Sequence, residues 1–158
     1  MTSYTIQPVR SAADLEAAKA LFNAYAASLG VSLSYQNFVE EMAVMPGKYA
    51  PPKGELLLAR GADGIALGCV GLRPLEDAAT CEMKRLYVTP EGRGLGLGKA
   101  LAERIVEEAR RIGYRRMLLD TLPSLATAVA LYDRMGFARI PAYYDTPIPG
   151  TIFMALPL

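Results

Sequence analysis

The chain has 158 residues, 52% hydrophobic and 21% charged, which suits one folded domain with a core of ordinary size and excludes a disordered segment. Its formal net charge of +1 gives no overall pull toward nucleic acid or an acidic membrane surface, and its apolar runs are too short for a membrane-spanning helix. Histidine is absent and cysteine occurs only at Cys69 and Cys81, which excludes Ser-His-Asp and Cys-His nucleophile systems and two-histidine zinc helices, and argues against a disulfide framework.

Met1-Thr2-Ser3-Tyr4 lacks the basic-then-apolar pattern of a leader peptide, so a soluble, cytoplasmic protein is expected. Tyr4 to Val9 alternates apolar residues and is predicted as the first strand. Ser11 is placed to cap a helix, with Asp14 at capping-box distance; Leu15, Ala18, Leu21, Phe22, Tyr25 and Leu29 then recur at helical spacing until Gly30. Ser34 is expected to cap a second helix with Phe38, Met42 and Met45 on its apolar face, ended by Pro46-Gly47. Tyr49 to Gly54 reads as a loop. Glu55 to Arg60 and Ile65 to Leu72 form a hairpin around Gly61-Ala62-Asp63-Gly64. Thr80 to Val88 is a long strand stopped at Pro90.

Gly96 to Ile112 is the most strongly periodic helix, with Leu97, Leu101, Ile105 and Ala109 on one face and Glu103, Glu107, Arg110 and Arg111 outward. Arg116 to Asp120 is a short buried strand, and Ser124 to Met135 a helix ended at Gly136. Phe137 to Ile140 and Thr151 to Leu156 are the last strands, joined by a segment rich in Pro and Tyr. Cys69 and Cys81 fall in predicted strands as small buried thiols. The order describes one domain over 1–158 of the α/β (α+β) class, a mixed sheet with helices on both faces. The strands flanking the long helix should be parallel.

One loop carries chemistry. Arg93-Gly94-Leu95-Gly96-Leu97-Gly98-Lys99 joins a strand to the periodic helix, and its glycines expose backbone N–H groups where a helix begins, a site suited to phosphate. It is not a Walker-A loop: position 93 is Arg and position 100 is Ala, so the first glycine and the Mg2+-binding hydroxyl are both missing. The dinucleotide fingerprint Gly-x-Gly-x-x-Gly also fails, because its last position falls on Lys99 or Leu101.

The pattern Arg-x-x-Gly-x-Gly, on Arg93, Gly96 and Gly98, resembles the pyrophosphate motif of the GCN5-related N-acetyltransferase (GNAT) superfamily. Further along, Ala128-Val129-Ala130-Leu131-Tyr132-Asp133-Arg134-Met135-Gly136-Phe137 resembles its second hallmark, A-x-x-L-Y-x-x-x-G-F. The resemblance covers nearly the whole chain. It implies a mostly antiparallel sheet whose one parallel pair splays apart to bind acyl-CoA. It further implies acetyl transfer from acetyl-CoA to a primary amine of a small molecule or peptide, with no metal, no nucleic acid and no membrane, and it admits a homodimer.

By the same resemblance, Arg93, Gly94, Leu95, Gly96, Leu97, Gly98 and Lys99 hold the pyrophosphate, and the backbone at Leu86, Tyr87 and Val88 pairs with pantetheine. Many relatives carry Asn where this chain has Leu125; Ser124 is the candidate substitute. Tyr132 is the candidate general acid, since a tyrosine pKa of about 10 suits protonation of a leaving thiolate. Glu82 is the candidate general base, directly or through water, or else the partner of a salt bridge to Lys84, Arg85 or Arg116. The acceptor walls would include Tyr25, Tyr35, Phe38, Tyr143, Tyr144 and Asp145, with Tyr143-Tyr144-Asp145 able to hold a cationic amine between rings and a carboxylate. The rival readings are an acyl-CoA sensor that binds without turnover, and a transferase using another donor such as succinyl- or propionyl-CoA.

Overall fold

The computed structural model describes residues 3–158; Met1 and Thr2, which the leader-peptide reading includes, lie outside them. Seven strands form one sheet in the order β1-β2-β3-β4-β5-β7-β6. They are β1 (Tyr4–Pro8), β2 (Glu55–Gly61), β3 (Ala66–Pro74), β4 (Thr80–Val88), β5 (Arg116–Thr121), β6 (Ala138–Arg139) and β7 (Ile152–Pro157). Every neighbouring pair is antiparallel except β4 and β5, which run parallel through Thr80↔Arg116, Cys81↔Met117 and Glu82↔Leu118. Beyond Glu82 the two strands part, as the splayed pair requires.

Four helices cover the two faces: α1 (Ala12–Ser28), α2 (Phe38–Ala43), α3 (Leu97–Ile112) and α4 (Ala126–Met135). The Ser11 side chain caps α1 by accepting the Asp14 N–H at 3.1 Å. α3 buries Leu97, Leu101, Ala102, Ile105, Val106 and Ala109 against Leu57, Val70, Met83, Met117 and Met154 of the sheet. Each fully buried Leu or Ile there contributes about 2 kcal/mol relative to exposure. α1 packs Leu21 and Phe22 against Leu56, Leu58 and Cys69 on the opposite face. Cys69 and Cys81 are free and buried, and burial raises both thiol pKa values, that of Cys81 to about 12. Among the described residues, no helix is long and apolar enough to cross a membrane.

Two helix starts differ from expectation. The helix expected from Ser34 is a 3₁₀ turn at Ser34–Gln36, then Asn37 at φ +57°, then α2. Asparagine tolerates the left-handed region, and there it redirects the chain between the two pieces. Phe38, Met42 and Met45 still pack toward α1. At the second, Ser124 lies before α4 in a turn closed by the Leu125 N–H donating to the Leu122 carbonyl at 3.0 Å, so the helix begins two residues later.

β4 carries a bulge that no sequence pattern announced. Gly71 faces Lys84 and Cys69 faces Tyr87, so Arg85 and Leu86 together oppose Val70. Arg85 sits at φ +60°, a conformation costing a non-glycine residue about 1–2 kcal/mol. The extra residue shifts the alternation. Lys84 and Arg85 both reach Gln36, while Leu86 and Val88 pack toward the α3 core and Tyr87 toward α1.

Candidate active site

The strand–loop–helix from β4 to α3 borders the largest cleft described, about 650 Å³ in volume. Gly94 and Gly96 adopt φ +83° and +76° with open space where a Cβ would stand, so the backbone turn itself requires glycine there. Gly98 is different: it has ordinary helical geometry and lines the cleft, and an added Cβ would meet only Val88 Cγ2 at 3.9 Å. The N–H groups of Leu97, Gly98 and Lys99 open α3 and have no earlier turn to bond to.

Arg93 and Lys99 add positive charge at this end of the cleft, Arg134 of α4 also lines it, and Leu86, Tyr87 and Val88 form the β4 side. Ser124 lies on the α4 side together with Leu125, Ala128 and Leu131. A long cleft that is cationic at its glycine end and apolar further in fits an extended polyanion with a neutral arm, as acyl-CoA is. Leu95 is the exception among the expected cleft residues, since its side chain packs toward the α3 core. Arg134, Thr127, Ala128 and Leu131 were not singled out as cleft residues from sequence; the helical spacing of 127, 128, 131 and 134 was the available signal.

A second, small cavity of about 30 Å³ shares Tyr25, Leu86, Leu125 and Ala128 with this cleft and lies where β4 and β5 part. Tyr132, Gln36, Lys84, Arg85 and Asp120 line it. Tyr132 reaches it from α4 and is 6% exposed. Burial raises the phenol well above its ordinary pKa, so Tyr132 is protonated throughout the neutral range.

The floor is a chain of buried ion pairs. Arg73 Nε lies 2.8 Å from Glu82 Oε1, Lys84 Nζ 3.4 Å from Asp120 Oδ1, and Arg85 Nη2 3.1 Å from Glu41 Oε1. Tyr143 donates its hydroxyl to the other Glu82 oxygen, Tyr144 donates to Asp120 Oδ2 at 2.7 Å, and Tyr49 to Glu41 at 3.1 Å. Desolvation offsets much of the Coulomb gain in such pairs, so they are a weak source of stability and a strong sign of chemistry. Burial holds Lys84 below the usual lysine pKa against the opposing pull of Glu82 and Asp120. Burial, with Glu82 and Asp120 nearby, pushes Tyr143 and Tyr144 up.

The expected acceptor residues divide. Tyr25 lines both cavities, and its pKa is raised to about 12 by burial. Tyr35 stacks on Tyr144 with ring centroids 6.4 Å apart. Phe38 lies under the Arg85 guanidinium at 5.2 Å. Tyr143 and Tyr144 meet edge to face at 5.6 Å, but Asp145 is exposed, and the carboxylate beside Tyr144 is Asp120. Glu82 is 1% exposed and its partners are Arg73 and Tyr143, not Lys84, Arg85 or Arg116. The carboxylate lining the cavity is again Asp120. It had a usable signal: an acidic residue at the C-terminal end of a buried parallel strand.

The sequence profile of the Acetyltransferase (GNAT) family matches residues 19–137. An uncharacterized N-acetyltransferase of Schizosaccharomyces pombe is 43% identical over 155 residues, which span 98% of this chain and 95% of the relative. Among solved structures, one described as an acyl-CoA N-acyltransferase of Klebsiella pneumoniae is similar with a TM-score of 0.73 at 29% identity, covering 98% of this chain and 97% of that one. An acetyltransferase of Salmonella typhimurium solved with its cofactor acetyl-CoA shares the fold, with a TM-score of 0.69 at 22% identity over 98% and 94% of the two chains. Fold, cleft and relatives together define an acyltransferase. The chain belongs to the Acetyltransferase (GNAT) family.

Proposed function

We propose that this protein transfers an acetyl group from acetyl-CoA to a primary amine within a ternary complex. The observation that carries this reading is the junction of the two cavities. The cleft leading from the glycine loop meets the small polar cavity at Tyr25, Leu86, Leu125 and Ala128, and Tyr132 and Asp120 both line that small cavity. A donor entering by the cleft and an amine entering by the polar floor would meet there.

Bound acetyl-CoA supplies the activated thioester. The α3 N-terminus and its cations hold the phosphate end, and the parted β4 edge orients the chain leading to the thioester. Asp120 takes a proton from the entering ammonium, leaving a neutral amine. Its nitrogen bonds to the acetyl carbon as the carbon–sulfur bond breaks, the thiolate takes a proton from Tyr132, and the second amine proton restores the tyrosine. In this scheme Glu82 fixes Tyr143 and Arg73 beneath the site.

Initial rates of thiol release with acetyl-CoA and a panel of amines test the reading. Intersecting reciprocal plots are expected. Parallel plots would replace direct transfer by an acyl-enzyme route, and acetyl-CoA binding without turnover across the panel would favour the sensor. Succinyl- and propionyl-CoA in the same assay measure donor choice.

A further inference from the structure

Gln36 sits where a ligand should be. Its Oε1 accepts from Arg85 Nη1 at 2.7 Å and Lys84 Nζ at 3.2 Å. Its Nε2 lies 3.1 Å from Asp120 Oδ2, 3.0 Å from the Tyr144 hydroxyl and 3.3 Å from the Tyr35 hydroxyl. The amide cannot face the other way, because lysine and arginine only donate and the carboxylate only accepts. One short side chain therefore places an oxygen between two buried cations and a nitrogen against a buried carboxylate, one carbon apart.

The surroundings are built for more than a glutamine. Lys84 and Arg85 are 5% and 4% exposed, and the bulge in β4, with Arg85 at φ +60°, is what turns both cations to the same side. The cavity left beside Gln36, about 30 Å³, holds about one water and no amine-bearing acceptor. Gln36 itself is only partly buried and projects from the isolated turn Ser34–Gln36, so its side chain can swing out without disturbing the core. An occupant that takes its place gains by bringing a full negative charge to the two cations and an amine to the carboxylate.

We propose that the acceptor is an α-amino acid whose carboxylate lies on Lys84 and Arg85 and whose amine lies on Asp120 and Tyr144, displacing Gln36. The inference rests on the acetyl-transfer reading for its chemistry but not for its binding geometry. The site would discriminate against a simple amine, because the Lys84 and Arg85 donors now turned to Gln36 would gain no anionic acceptor beyond their ion pairs with Asp120 and Glu41.

The test measures calorimetric binding and thiol release for the twenty L-amino acids, each against its α-amide and its decarboxylated amine. At least one amino acid is expected to bind and react at least tenfold better than both counterparts. Lys84→Met should erase that preference, while Gln36→Ala, which removes the side chain that the acid must displace, should tighten binding of that amino acid; weaker binding in Gln36→Ala would overturn the proposal. Amides and amines reacting as well as the acids, or no amino acid binding at all, would overturn the proposal while leaving acetyl transfer to other amines standing. Amino-acid binding with no thiol release would do the reverse, keeping this site and removing the transferase reading.

Discussion

Arg73 grips Glu82: its Nε stands 2.8 Å from Oε1 of a carboxylate that is 1% exposed. With Tyr143 on the other oxygen, both Glu82 oxygens are bonded, and Glu82 does not line the small cavity. Glu82→Gln leaves the half-buried Arg73 guanidinium without its charge partner and should cost about 2 kcal/mol in urea unfolding. It should also keep most of kcat, which Asp120→Asn should lower by about 10²-fold or more. A Glu82→Gln protein of normal stability whose kcat falls as far as that of Asp120→Asn would return the base role to Glu82.

Tyr132→Phe should lower kcat by about 10²-fold or more, the usual weight of a lost general acid, and leave KM for acetyl-CoA within about threefold. The phenol is 6% exposed and packs on Phe137 at 5.6 Å, so phenylalanine fits the same space. Steady-state kinetics decide the matter; an unchanged kcat removes the assignment.

Gly98→Ala should move stability and binding in opposite directions. The backbone there is helical and the Cβ meets nothing closer than Val88 Cγ2 at 3.9 Å, so alanine should stabilise α3 by up to about 1 kcal/mol. The same methyl enters the phosphate end of the cleft and should raise KM for acetyl-CoA at least tenfold. A variant with higher Tm and unchanged KM would show that the cofactor's phosphates lie elsewhere.

Lys84 should make stability depend on pH in the alkaline range. Burial lowers its pKa in the folded protein below the ordinary 10.5. Between those two values the unfolded chain binds the extra proton, so stability rises with pH through that window. Below the folded value the buried charge exerts its full cost; above 10.5 both states are neutral and the cost is gone. The difference in urea midpoint between the wild type and Lys84→Met should therefore shift in favour of the wild type as the pH rises toward 10.5. A difference that stays flat refutes the depressed pKa.

The parts of this molecule that sequence reveals are those whose physics is local. The α3 stripe, the Ser11 cap, the Gly61–Gly64 hairpin turn and the glycine loop depend on neighbours a few residues away, and each lies where periodicity or turn chemistry places it. The acceptor floor is different. Glu41, Arg73, Arg85 and Asp120 belong to four separate elements and meet only through the sheet order. Alternation along β4 would put Arg85 on the face of Met83, and the bulge reverses it. Asp145, expected to join Tyr143 and Tyr144 around a cationic amine, is exposed, and the carboxylate that meets the Tyr144 hydroxyl is Asp120. Asn37, read as a helical residue, is where the chain turns.

The three-residue pairing of β4 with β5 also decides where the free backbone of the sheet lies. A strand edge with free backbone groups ordinarily invites a neighbouring molecule to add its own strand. Here the outer edges are β1 and β6, only five and two residues long, whereas the longer free edge lies within the fold between β4 and β5. The stretch of free β4 backbone at Leu86, Tyr87 and Val88 thus opens into the cleft rather than along an outer edge of the sheet.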